Sequence, residues 1–139
     1  LLNRPLDYVV DAIDALNPKC CLIESLYDRG IPFISSMGAA LKSDPSCIKS
    51  GKLSASKNCG LAKFIRKRLR KRGVEISQIN CVFSDEQVSL PETALSLEGE
   101  APENGRQRHT LGSLPTITAI FGLTIANQVI ISLAGYKQR

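Results

Sequence analysis

Hydrophobic positions along the chain form short clusters whose spacing alternates between strand-like and helix-like. Tyr8-Val9-Val10-Asp11-Ala12-Ile13 is a short apolar run ending in acid, as a buried parallel strand does, and Asp14 follows where strand should give way to loop. Asn17-Pro18 reads as a helix start, with Asn capping and Pro at the first helical position. Cys20, Ile23, Leu26 and Tyr27 then make one apolar helix face, and Gly30 is placed to end that helix in the left-handed conformation. Ile31-Pro32-Phe33-Ile34-Ser35-Ser36 is the next strand. Strand, helix and strand with short joints predict a βαβ unit and hence a parallel sheet.

Beyond it, Met37-Gly38-Ala39-Ala40 offers small side chains where backbone or ligand can approach closely. Residues 47–53 read as a weak, exposed strand, and residues 54–60 as a polar loop. Leu61, Phe64, Ile65 and Leu69 form a helical stripe over residues 61–72, which Gly73 stops. Residues 79–84 are a further strand. Pro91, Gly99, Pro102 and Gly105 mark a long, mobile loop over 85–110. Residues 111–136 carry no charge, a span long enough to cross a bilayer. Thr116, Thr118, Thr124, Asn127, Gln128 and Ser132 are costly in lipid, and Ala119, Gly122 and Ala126 form a small-residue ridge. Those residues favour a buried core or dimer helix over a membrane span.

The chain has 139 residues with a formal net charge of +5. That charge has one source: Lys63, Arg66, Lys67, Arg68, Arg70, Lys71 and Arg72 lie within ten residues without an acid between them. Without these seven, 11 basic residues face 13 acidic ones, so a mildly acidic body carries one basic element. Such an element either attracts phosphates and acidic surfaces or is simply a solvated helix face. The five cysteines, Cys20, Cys21, Cys47, Cys59 and Cys81, lack C-x-x-C spacing, which argues against a zinc knuckle and for reduced thiols. His109 is the only histidine, so paired-His chemistry is excluded. The opening Leu1-Leu2-Asn3-Arg4-Pro5 shows no secretory leader and suggests a piece of something longer, in a cytoplasmic setting.

Asp11-Ala12-Ile13-Asp14 is the most suggestive chemical feature. Ligands of open parallel sheets collect at the carboxyl ends of strands, and Mg²⁺ prefers one or two carboxylates plus phosphate oxygens. Lys19, near the start of the following helix, could meet the same phosphates. The bland alternative for an Asp at this position is a helix cap.

Taken in order, Val9-Val10-Asp11-Ala12-Ile13-Asp14, Pro18-Lys19, Ile31-Pro32-Phe33-Ile34 and Met37-Gly38-Ala39-Ala40 resemble the second half of the ubiquitin-activating-enzyme-like adenylating fold of the ThiF, MoeB and HesA type. Asp44-Pro45, the basic run, Cys81-Val82-Phe83-Ser84-Asp85-Glu86, and Gly112-Ser113 leading into Ala119-Ile120-Phe121-Gly122-Leu123 are similar to its tRNA threonylcarbamoyladenosine dehydratase branch. The resemblance implies an α/β fold, the C-terminal half of a Rossmann-like adenylating domain: a mixed sheet flanked by helices, with a long C-terminal helix. Residues 1–139 would form the C-terminal part of that single domain.

The implied activity is ATP- and Mg²⁺-dependent adenylation of the threonylcarbamoyladenosine carboxyl beside the tRNA anticodon, followed by cyclisation with loss of water. By resemblance, Asp14 is the catalytic Mg²⁺/ATP carboxylate and Lys19 supports the phosphates. Lys63, Arg66, Lys67, Arg70 and Lys71 would contact tRNA. The implied partners are tRNA, the N-terminal half of the same enzyme, a second copy in a homodimer and a sulfur-acceptor protein, with a membrane disfavoured. Cys59 is the positional candidate for a crossover-loop cysteine, though inert thiols are the expectation for it and for Cys81. The family's G-x-G-G-V-G phosphate loop is absent, so the chain alone is expected neither to bind ATP tightly nor to catalyse. A sulfur-carrier or ubiquitin-like-protein adenylyltransferase and a non-catalytic basic module that binds RNA or an anionic membrane are the competing readings.

Overall fold

In a computed structural model of the protein, residues 5–88 and 112–135 are described. Most of the expected loop over 85–110, including His109, lies outside them. Four strands form one sheet: β1 (Val9–Asp11), β2 (Phe33–Ser36), β3 (Ile48–Lys52) and β4 (Asn80–Ser84), in the order β1-β2-β4-β3. β1, β2 and β4 are parallel, with Val10 opposite Ile34 and Ser36 opposite Val82, whereas β3 runs antiparallel to β4 at the far edge. The mixed α/β architecture read from the resemblance is therefore present, with the weak strand in the exposed edge position its polar sequence suits.

Helices α1 (Leu16–Asp28) and α2 (Gly60–Lys71) cover one face. Cys20 and Ile23 of α1 and Ala62, Ile65 and Leu69 of α2 meet Cys81 and Phe83 of β4 there in one buried cluster. Both helices end alike. The N–H of Gly30 (φ 64°) bonds Tyr27 O and that of Ile31 bonds Leu26 O, while Gly73 (φ 78°) and Val74 bond Arg70 O and Leu69 O. In each, the left-handed glycine lets two orphan carbonyls find donors.

Two local expectations are corrected. α1 begins at Leu16 with Ala15 as its cap and no side-chain capping bond, which puts Pro18 third in the helix, still within the turn that needs no N–H donor. Phe64 does not belong to the buried stripe of α2; it is 54% exposed, because Ala62, Ile65 and Leu69 already fill the sheet-facing side.

The opposite face carries one helix, α3 (Pro115–Leu133). Ile117, Phe121 and Ile125 pack on Ile34 and Val82, so one narrow face of the helix joins the core, while Ala119, Gly122 and Ala126, the expected packing ridge, are exposed. Its outer side stays apolar, with Leu123 70% exposed and Ile130 and Leu133 also open. Among the described residues it is the one helix long and apolar enough to cross a membrane by length and composition. α3 packs over β2, β4 and β3, leaving the outer face of β1 uncovered at Val10.

Candidate functional site

A cleft of about 540 Å³ lies where that coverage fails, beyond the carboxyl ends of β1 and β2 and against α3. Val10, Asp14, Ser36 and Gly38 wall it on the sheet side, and Phe121 and Gly122 on the helix side. A larger hollow of about 680 Å³ at the amino end of β2, around Tyr8, Asp28 and Asn80, brings together no acid–base pair at the ligand-collecting end of the sheet.

The cleft is shaped by the two acids of Asp11-Ala12-Ile13-Asp14, which do opposite things. Asp11 closes β1 and is fully buried. Its Oδ2 accepts Ser35 Oγ at 2.6 Å and pairs with Lys19 Nζ at 2.8 Å, and its Oδ1 accepts the Ile13 N–H at 3.1 Å. Lys19, also fully buried, donates to Ile13 O at 3.0 Å. Every polar atom of this ion pair is thus answered inside the protein, as burial of two charges requires. The pair fastens the turn after β1 and delivers Asp14, exposed, to the cleft wall.

Lys19 is therefore not brought to the cleft. Its ammonium is consumed by Asp11, and the structure gives it a positioning role in place of the direct phosphate contact expected from its spacing. No Lys or Arg lines the cleft among the described residues. The donor set there fits a hard cation held by one carboxylate and by phosphate oxygens, but it does not fit a triphosphate gripped by this chain alone. No group of three or more His, Cys, Asp or Glu side chains could hold a metal among the described residues.

The small-residue segment after β2 forms the cleft floor, and a network the sequence reading missed holds it in place. Leu41 adopts a left-handed φ of 59°, a conformation that costs a non-glycine residue about 1 kcal/mol. Its N–H bonds Gly112 O at 2.9 Å. Buried Lys42 donates to Asn58 O at 2.9 Å and to Glu86 O at 2.5 Å. The Glu86 carboxylate accepts the N–H groups of Ser43 (2.9 Å) and Asp44 (3.1 Å) and the Ser43 hydroxyl (2.9 Å). These bonds, led by the Ser43 N–H, hold its carboxyl below the usual carboxylate range. The motif ending in Asp85-Glu86 was visible in the sequence, but its partner 43 residues away was not.

Cys59 and Cys81 are buried. Burial, and then proximity to Cys59, pushes the Cys81 thiol up to about 12, so it stays protonated near neutrality. Cys59 is buried and caps α2, its Sγ accepting the Ala62 N–H at 3.4 Å. On α2, Lys63, Lys67, Arg70 and Lys71 are exposed. Arg66 is half-buried and donates to Ser56 O at 2.7 Å and to the Ser56 hydroxyl, while Arg72 pairs with Glu24.

No protein-family model matches the chain. It is similar to tRNA threonylcarbamoyladenosine dehydratase 2 of Saccharomyces cerevisiae, with 36% identity over 95% of this chain and 32% of that protein. It is also similar to the tRNA threonylcarbamoyladenosine dehydratase of Bacillus subtilis, with 42% identity over 58% of this chain and 32% of that one. Among solved structures, the Escherichia coli tRNA N6-threonylcarbamoyladenosine dehydratase TcdA in complex with ATP superposes with a TM-score of 0.76 at 25% identity, covering 99% of this chain and 53% of that one. The same enzyme in complex with AMP gives 0.75 at 27% identity. The resemblance read from the motifs, and the fold it implies, are borne out by these relatives. The chain spans about a third to a half of their length.

Proposed function

We propose that this chain is part of an ATP-dependent tRNA threonylcarbamoyladenosine dehydratase, and that it supplies the carboxylate wall of the adenylation cleft together with a tRNA-facing helix. The observation that carries the reading is Asp14: an exposed acid, held by a buried ion pair, on a cleft beyond the carboxyl ends of parallel strands. TcdA, which shares this fold, has been solved in complex with ATP and with AMP, which supports nucleotide binding by the whole enzyme.

A carboxylate is a poor electrophile until one of its oxygens can leave as part of AMP. In the proposed reaction the substrate carboxylate attacks the α-phosphorus of ATP, pyrophosphate departs, and the acyl-adenylate then loses AMP as the ring closes. Mg²⁺ held at Asp14 would neutralise phosphate charge during that displacement. The small residues of the cleft floor admit the nucleotide closely, while the cations that grip the triphosphate come from polypeptide outside this chain. The same polypeptide, or a second copy, would cover Val10 and the outer side of α3. A homodimer, a sulfur-acceptor partner and a cytoplasmic setting belong to this proposal and not to the observations.

Asp14→Asn in the full-length protein should lower Mg²⁺-dependent adenylate formation, followed by ATP–pyrophosphate exchange, by about 100-fold or more, the scale for removing one charge-stabilising group. The unfolding temperature should not change. Exchange at the unaltered rate would overturn the assignment. The second part of the reading rests on the four exposed bases of α2, whose phosphate contacts would make tRNA affinity fall steeply with salt.

A further inference from the structure

The exposed side of α2 carries an aromatic ring that packing of the helix does not require. Ala62, Ile65 and Leu69 complete its buried side, whereas Phe64 stands in solvent. Lys67 and Lys71, at +3 and +7, lie on the same side of the helix, and Lys63 continues their i, i+4, i+8 row towards the helix start; all three are exposed. No acid interrupts α2. A single exposed apolar side chain is ordinary on a protein surface, but a ring set in a row of ammonium groups has a specific complement. An apolar protein surface laid over Phe64 would have to desolvate those cations without pairing them. Single-stranded nucleic acid meets both demands, with phosphates for the lysines and a base face for the ring.

We propose that Phe64 is a stacking platform for an unpaired RNA base whose flanking phosphates lie along Lys63, Lys67 and Lys71. Bases inside an A-form duplex are stacked on one another and cannot reach the ring, so the ligand is a loop or a single strand. A Cβ on Gly38, a cleft residue, would lie 3.5 Å from Leu61 Cβ, so the first turn of α2 abuts the cleft floor. Phe64 follows about one turn later, on the solvent side of the same helix. This inference rests on the tRNA reading above and adds to it the residue that distinguishes looped from paired RNA.

The test uses the full-length protein with a fluorescent RNA hairpin carrying an open loop and a fluorescent blunt RNA duplex, each titrated at several salt concentrations. Phe64→Leu should weaken hairpin binding by about 10-fold, the scale for losing one base stack, with duplex affinity and the hairpin salt slope unchanged. Phe64→Trp should bind the hairpin at least as tightly as the unaltered protein. Equal hairpin affinity for Phe64→Leu, or equal losses on hairpin and duplex, would overturn the stacking role while leaving salt-dependent RNA binding standing. Absence of salt-dependent binding to either RNA would overturn the tRNA reading as well.

Discussion

Asp11 and Asp14 are the same side chain three residues apart, and the fold gives them opposite fates. Asp11 ends a strand on the buried side and must find partners for a charge out of water; Lys19, Ser35 and the Ile13 N–H supply them. Asp14 lies past the strand, in the turn those bonds hold, and stands exposed on the cleft wall. Lys19→Met leaves the Asp11 carboxylate buried and unpaired, so it should cost about 3–5 kcal/mol in denaturant unfolding. Asp11→Asn combined with Lys19→Met should cost less than the two single changes added, since the second loss no longer strands a charge. Both residues were legible in the sequence as part of a motif. Their pairing was not, because a five-residue spacing from Asp14 to Lys19 says nothing about which acid the amine will face.

Each helix owes its placement to a different balance between its faces. α2 was legible from apolar spacing and from Gly73, but Phe64 faces solvent although its spacing fits the stripe, because three smaller residues already complete the buried side. α3 was legible as a helix, but the face it packs with is Ile117, Phe121 and Ile125 and not the small-residue ridge of Ala119, Gly122 and Ala126. One narrow face holds it: Phe121→Ala should lower stability by about 3–5 kcal/mol, whereas Leu123→Ser, on the open side, should stay within about 0.5 kcal/mol. The segment after β2 is anchored through Glu86, whose carboxyl is depressed in the folded protein. Its contribution to stability is complete above the unfolded value of about 4.3 and is lost as pH falls through the lower folded value. Glu86→Gln should therefore unfold at a lower temperature than the unaltered protein at pH 7, and this difference should shrink towards zero in a thermal unfolding series taken below about pH 3.

At the scale of the molecule, charge is concentrated on one element and exposed apolar surface on another. The bases of α2 lie on the covered side of the sheet, while the open apolar surface of Val10, Leu123 and Ile130 lies on the side with a single helix. Replacing Lys67 and Arg70 together by Ala should flatten the slope of log affinity for tRNA against log salt by roughly 1.4 to 1.8, the release of counterions from two phosphates. On the proposed reading, ATP–pyrophosphate exchange by the full-length protein should be unaffected, since no residue of α2 lines the cleft.

The succession of strands and helices, the glycine stops, the basic element and the acid at the end of β1 follow from periodicity, backbone preference and charge within a few neighbouring residues. Only packing set Asp11 to take Lys19 away from the cleft, Glu86 to fasten the floor from the end of the neighbouring strand β4, and Phe64 to face water. Each of those outcomes depends on which groups share a desolvated space, and that is fixed only when distant segments pack together.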